Sequence, residues 1–98
     1  MIIDGRSVSH GAEIGADICI VGSGPAGMTL ALRLASLGAT RIVLVESGGA
    51  SDDEKVQELA RGVVNGLAYF PLEETRIRRL GGSSWSWGFG ASPQFSVK

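Results

Sequence analysis

The residues best suited to chemistry are Gly22-Ser23-Gly24-Pro25-Ala26-Gly27, a G-x-G-x-x-G string, together with Glu46, which stands nineteen positions after Gly27. Glycine is common enough that the string alone says little; its surroundings give it meaning. It follows an apolar run, opens a helical pattern, and precedes by the expected interval an acid at the end of a second apolar run, which is the context of a dinucleotide-binding turn. Each glycine then has a task. Gly22 permits the tight turn, Gly24 lets backbone approach a pyrophosphate with no Cβ in between, and Gly27 lets the helix lie close to a sheet. Unpaired N–H groups and the positive dipole end of the helix beginning at Pro25 meet the pyrophosphate charge. Glu46 would accept hydrogen bonds from ribose hydroxyls and repel a 2′-phosphate, leaving FAD or NAD as the ligand.

Three elements must hold these residues. Ile18-Cys19-Ile20-Val21 is a continuous apolar run of the kind buried on both faces of a parallel sheet, so a strand is expected over 16–21 with Cys19 in the core. Pro25 suits the first helical position. Met28, Ala31, Leu34 and Ala35 then recur at helical spacing until Gly38, giving a helix over 25–37. Ile42-Val43-Leu44-Val45 gives a second strand over 41–46. Strand, helix and strand in about thirty residues form one βαβ unit with parallel neighbouring strands. Ser51-Asp52-Asp53-Glu54 reads as a capping box opening a further helix that ends near Gly62, with Val56, Leu59 and Ala60 available for packing. Residues 63–72 read as a loop or a short irregular strand, and Gly81-Gly82-Ser83-Ser84 as a break in any regular element. The fold class is therefore α/β, an incomplete Rossmann-like βαβ dinucleotide-binding unit.

Composition narrows the function. Nine Lys and Arg against ten Asp and Glu give a net charge of −1, which removes the positive field that nucleic-acid binders use, so nucleic acid is not an expected partner. Hydrophobic content of 44% is enough for a folded chain. The single cysteine excludes an intrachain disulfide. No stretch approaches the roughly twenty apolar residues that span a bilayer. Met1 to Arg6 carries an acid and no apolar h-region, making the cytoplasm the expected location.

Beyond the βαβ fingerprint, Leu44-Val45-Glu46-Ser47-Gly48-Gly49, Tyr69-Phe70-Pro71-Leu72 and Arg76-Ile77-Arg78-Arg79-Leu80-Gly81-Gly82-Ser83-Ser84 resemble the N-terminal portion of a glucose–methanol–choline (GMC) oxidoreductase over residues 1–90. The pairing of Glu46-Ser47-Gly48-Gly49 with the later arginine-rich Gly-Gly-Ser-Ser segment is its most specific part. The resemblance implies FAD as cofactor. It places the pyrophosphate on Gly22, Ser23, Gly24, Pro25, Ala26 and Gly27, the adenosine ribose on Glu46, with Ser47 beside it among the cofactor-binding residues, and Gly81, Gly82, Ser83 and Ser84 near the pyrophosphate and flavin. It also implies a division into an N-terminal segment 1–15, an FAD-binding part 16–90 and a divergent tail 91–98. After Ser84 the sequence departs from the family, running Trp85-Ser86-Trp87-Gly88-Phe89-Gly90. Ser86 stands where members with covalently attached flavin carry histidine, so no such bond is expected. Trp85 and Trp87 are candidates for stacking on the flavin or for packing.

No catalytic residue and no metal site are expected. The one histidine, His10, precedes the first strand and reads as a surface residue, and no Cys/His cluster has metal-ligand spacing. Two readings follow. In one, the chain is the FAD-binding piece of an alcohol- or sugar-oxidising enzyme, inactive alone, whose remainder is further sequence or a separate chain. In the other, it is a stand-alone nucleotide-binding or interaction module without activity.

Overall fold

The computed structural model describes residues 1–86. Two strands, β1 (Ile18–Val21) and β2 (Ile42–Val45), pair in parallel, with Ile18 opposite Ile42 and Val21 opposite Val45. Helix α1 (Pro25–Ser36) forms the crossover between them. The expected βαβ unit is thus present, with each strand confined to its four-residue apolar run and so shorter than the expected spans 16–21 and 41–46. Trp87, the expected end of the FAD-binding part at residue 90 and the 91–98 tail lie outside the described residues.

α1 begins at Pro25 as the fixed φ of proline favours, and it ends in a Schellman arrangement: Ala39 N–H donates to Leu34 O and Gly38 N–H to Ala35 O. The face turned to the sheet carries Gly27, Ala31 and Leu34, each partly buried. Met28 and Ala35, expected on that face, are exposed. The apolar stripe is wider than the two-stranded sheet it packs against.

Burial is one-sided. Ile20, 7% exposed, points beneath α1, whereas Val21 is 85% exposed and Cys19 is also exposed. This corrects the core placement of Cys19. A continuous apolar run fits a sheet covered on both faces, and among the described residues only the α1 side is covered.

The next helix also differs from expectation. Asp53, not Ser51, is its cap: Asp53 Oδ1 accepts from Lys55 N–H at 3.0 Å and Val56 N–H at 3.3 Å. α2 spans only Glu54–Gln57 and tightens into a 3₁₀ turn over Glu58–Ala60. Ala60 is buried, whereas Leu59 is 66% exposed. A short helix α3 (Leu72–Thr75) follows Pro71, and a 3₁₀ turn runs over Gly82–Ser86 where a break was expected. Gln57 links α2 to this later chain. Its Nε2 donates to Glu73 O and Arg76 O, while its Oε1 accepts from Arg78 N–H. One amide thereby supplies the backbone partners that a neighbouring strand would otherwise provide.

Candidate functional site

The loop from β1 to α1 is shaped by its glycines, each for a different reason. Gly22 has φ +96°, a conformation that side chains strain to adopt, and its N–H donates to Val45 O at 2.7 Å, tying the turn to β2. A Cβ on Gly27 would overlap the Gly22 carbonyl, so α1 reaches the loop only because residue 27 is glycine. Gly24 is unlike both. It has φ −63° and ψ 177°, ordinary for any residue, and a Cβ there would meet no atom within 4 Å. Nothing in the fold requires glycine at position 24. The space beside its backbone is open. Gly24 is also the N-cap of α1 and offers no side-chain cap, which leaves the first-turn N–H groups without a side-chain acceptor.

Ser23 is the fully buried centre of the site. Its N–H and its hydroxyl both donate to Glu46 Oε2 at 2.7 Å, and its Oγ accepts from Gly81 N–H at 3.0 Å. Glu46 Oε1 accepts from Gly48 N–H at 3.0 Å and from the Ser47 hydroxyl at 3.2 Å. Burial pushes the Glu46 carboxyl up, but these bonds from Gly48, Ser23 and Ser47 outweigh it and hold its pKa below the usual carboxylate value. A carboxylate expected to face a ribose is thus also the bracket that closes the glycine loop onto the end of β2.

The third segment docks on this bracket. Leu80 N–H donates to Gly49 O at 2.9 Å, and a Cβ on Gly48 would overlap the backbone of Arg78 and Arg79. Gly82 comes close enough to Gly24 that a Cβ on it would lie 3.0 Å from Gly24 Cα. Arg79 fixes the segment from the side. Its guanidinium reaches Asp52 Oδ1 and Ala50 O, both at 2.8 Å, and lies 3.9 Å from the Trp85 ring centroid, while Trp85 Nε1–H donates to Leu80 O. Trp85 therefore packs on Arg79.

Of the residues singled out from sequence, Gly22, Ser23, Gly24, Pro25, Ala26, Gly27, Glu46, Ser47, Gly81 and Gly82 come together. Ser83 and Ser84 turn their hydroxyls elsewhere: Ser83 Oγ accepts from Ile77 N–H, and Ser84 Oγ donates to Gly81 O. Sequence reading missed Arg79, Gln57 and Asp53 as organisers. Arg79 could have been found from its place beside the Gly-Gly turn; no local signal marks Gln57. A cleft of about 310 Å³ lies between α2 and the 73–78 segment, lined by Asp52, Asp53, Glu54, Gln57, Glu73, Ile77 and Arg78. Its carboxylates would repel a diphosphate, and none of the expected site residues borders it. His10 is exposed, and no cluster of three metal-ligating side chains occurs among the described residues. No helix among them is long and apolar enough to cross a membrane.

The parallel βαβ unit, with a glycine turn leading into a helix start that has no side-chain cap, has the build of a dinucleotide-binding fold. Residues 17–75 match the FAD binding domain family, and the chain belongs to that family, with FAD as its cofactor. No curated protein and no solved structure matches the chain.

Proposed function

We propose that the chain is the N-terminal FAD-binding part of a GMC-type oxidoreductase, the complete enzyme oxidising an alcohol or a sugar by hydride transfer to FAD. The flavin supplies the hydride acceptor. The chain's own part is binding. In this reading the Gly22 to Gly27 loop and the open N–H groups of α1 take the pyrophosphate, Glu46 and Ser47 border the adenosine ribose, and the Gly81 to Ser84 turn carries the wall of the site towards the flavin. A cytoplasmic location belongs to the same reading.

The crossing of Gly48 by the Arg78–Arg79 backbone supports the GMC assignment best. The two sequence motifs that make the resemblance specific are packed against each other, each requiring the other. Further strands, from the same or a separate chain, would cover Cys19 and Val21. Among the described residues only Ile20 and Ala60 are buried apolar side chains, and a side chain the size of isoleucine contributes about 1.5–3 kcal/mol when fully buried.

Steady-state assay of the purified chain with FAD, a dye acceptor and a panel of alcohols and sugars tests the division of labour. The expected result is no turnover by the 98-residue chain and turnover by the complete enzyme. Sustained turnover by the chain alone would show that the substrate-handling residues have been misplaced.

A further inference from the structure

The Glu46 carboxylate is saturated by its own chain. A carboxylate offers about four acceptor positions. Four protein donors fill them: Ser23 N–H and hydroxyl on Oε2, Gly48 N–H and the Ser47 hydroxyl on Oε1. A ligand hydroxyl can therefore donate to Glu46 only by displacing one of these groups.

The four are not equally held. Ser23 is fully buried, its two bonds are 2.7 Å long, and its hydroxyl also accepts from Gly81. Gly48 is pinned beneath the Arg78–Arg79 backbone. Ser47 is exposed, and its bond, at 3.2 Å, is the longest of the set. Arg78 Nη1 meanwhile donates to Ser47 Oγ at 3.0 Å. Since a guanidinium only donates, this contact directs the single Ser47 proton towards Glu46. It also keeps the serine anchored if that proton is turned away, leaving the hydroxyl able to donate to an arriving hydroxyl oxygen or to water.

We propose that the Ser47 hydroxyl stands in for a ribose hydroxyl on Glu46 and is the donor that yields when the adenine-nucleotide part of the cofactor binds. Ser47 is then an internal competitor that weakens binding of ribose-bearing ligands. This rests on the reading of Glu46 as the ribose acceptor.

Calorimetric titration of the 98-residue chain with ADP and with 2′,3′-dideoxy-ADP, for the natural sequence and for Ser47→Ala, tests it. Removing the competitor should tighten ADP binding roughly three- to tenfold, the net worth of one hydrogen bond, and leave dideoxy-ADP unchanged. Ser47→Ala binding ADP with unchanged or reduced affinity overturns the exchange while leaving the ribose reading standing. Equal affinity of Ser47→Ala for the two nucleotides, or no binding of either nucleotide by either protein, overturns the ribose reading and the exchange with it.

Discussion

The Ser23 hydroxyl donates to Glu46 Oε2 at 2.7 Å while accepting from Gly81 N–H at 3.0 Å, so one buried oxygen joins three chain segments separated by up to 58 positions. The glycine loop, the end of β2 and the Gly-Gly turn are consequently one assembly. Disturbing any of them should be felt at the others.

Ser23→Ala removes a donor to a charged group and leaves the Gly81 N–H without its acceptor. The expected cost is about 1–3 kcal/mol, read as a lower urea midpoint at unchanged m-value. Hydrogen exchange at Gly81 should accelerate with it. A midpoint within experimental error of the natural chain would mean that the three segments are held by other contacts.

The Glu46 pKa supplies a signed pH dependence. Because hydrogen bonds hold the folded carboxyl below its ordinary value of 4.5, its stabilising contribution is complete above that value and is lost as pH falls through the folded pKa. Stability of the natural chain should therefore drop on acidification below the ordinary carboxylate range. Glu46→Gln should be less stable at neutral pH, since an amide cannot accept from all four donors, and should lose this part of the acid dependence. Parallel stability-against-pH curves for the two proteins would contradict the assignment.

Two glycines should be intolerant for reasons of space. Gly27→Ala meets the Gly22 carbonyl and Gly48→Ala meets the Arg78–Arg79 backbone, and in neither case is the obstacle a flexible side chain. Both should unfold at lower temperature, by the 1–3 kcal/mol typical of overpacking. Their thermal midpoints decide the matter. Midpoints equal to that of the natural chain would show that the helix and the crossing segment stand further off.

Cys19 provides a probe of the uncovered sheet face. As an exposed thiol it should react with a thiol reagent in the folded chain nearly as fast as in urea, and become protected in the complete enzyme if further strands cover that face. Slow labelling of the isolated chain would restore the core placement expected from sequence.

That expectation failed for an instructive reason. Periodicity and punctuation made β1, α1, β2 and the functional turn legible, because Pro25, Gly38 and the apolar runs act within a few residues of themselves. The run Ile18 to Val21 also encodes a sheet covered on both faces, and this is a statement about neighbours that the described residues do not supply. Asp53 rather than Ser51 is the cap because its carboxylate takes the Lys55 and Val56 N–H groups and starts the helix two residues later, a choice that spacing does not decide. The bracket on Glu46 and the crossing at Gly48 join residues two to three dozen positions apart. Sequence marked both motifs and could not show that they touch.

If the loop from Gly22 to Gly27 holds the pyrophosphate of FAD, Gly24 is the position to change, because a Cβ there meets no atom of the protein. Titration of the natural chain and of Gly24→Ala with FAD, ADP and riboflavin, beside their unfolding curves, is the decisive measurement. The natural chain is expected to bind FAD and ADP but not riboflavin. Gly24→Ala is expected to lose at least about tenfold in affinity for both nucleotides while its stability changes by no more than about 1 kcal/mol, the N-cap preference for glycine opposing the reduced freedom of the unfolded chain. Gly24→Ala binding FAD as tightly as the natural chain, or riboflavin binding as well as FAD, would contradict this placement of the pyrophosphate.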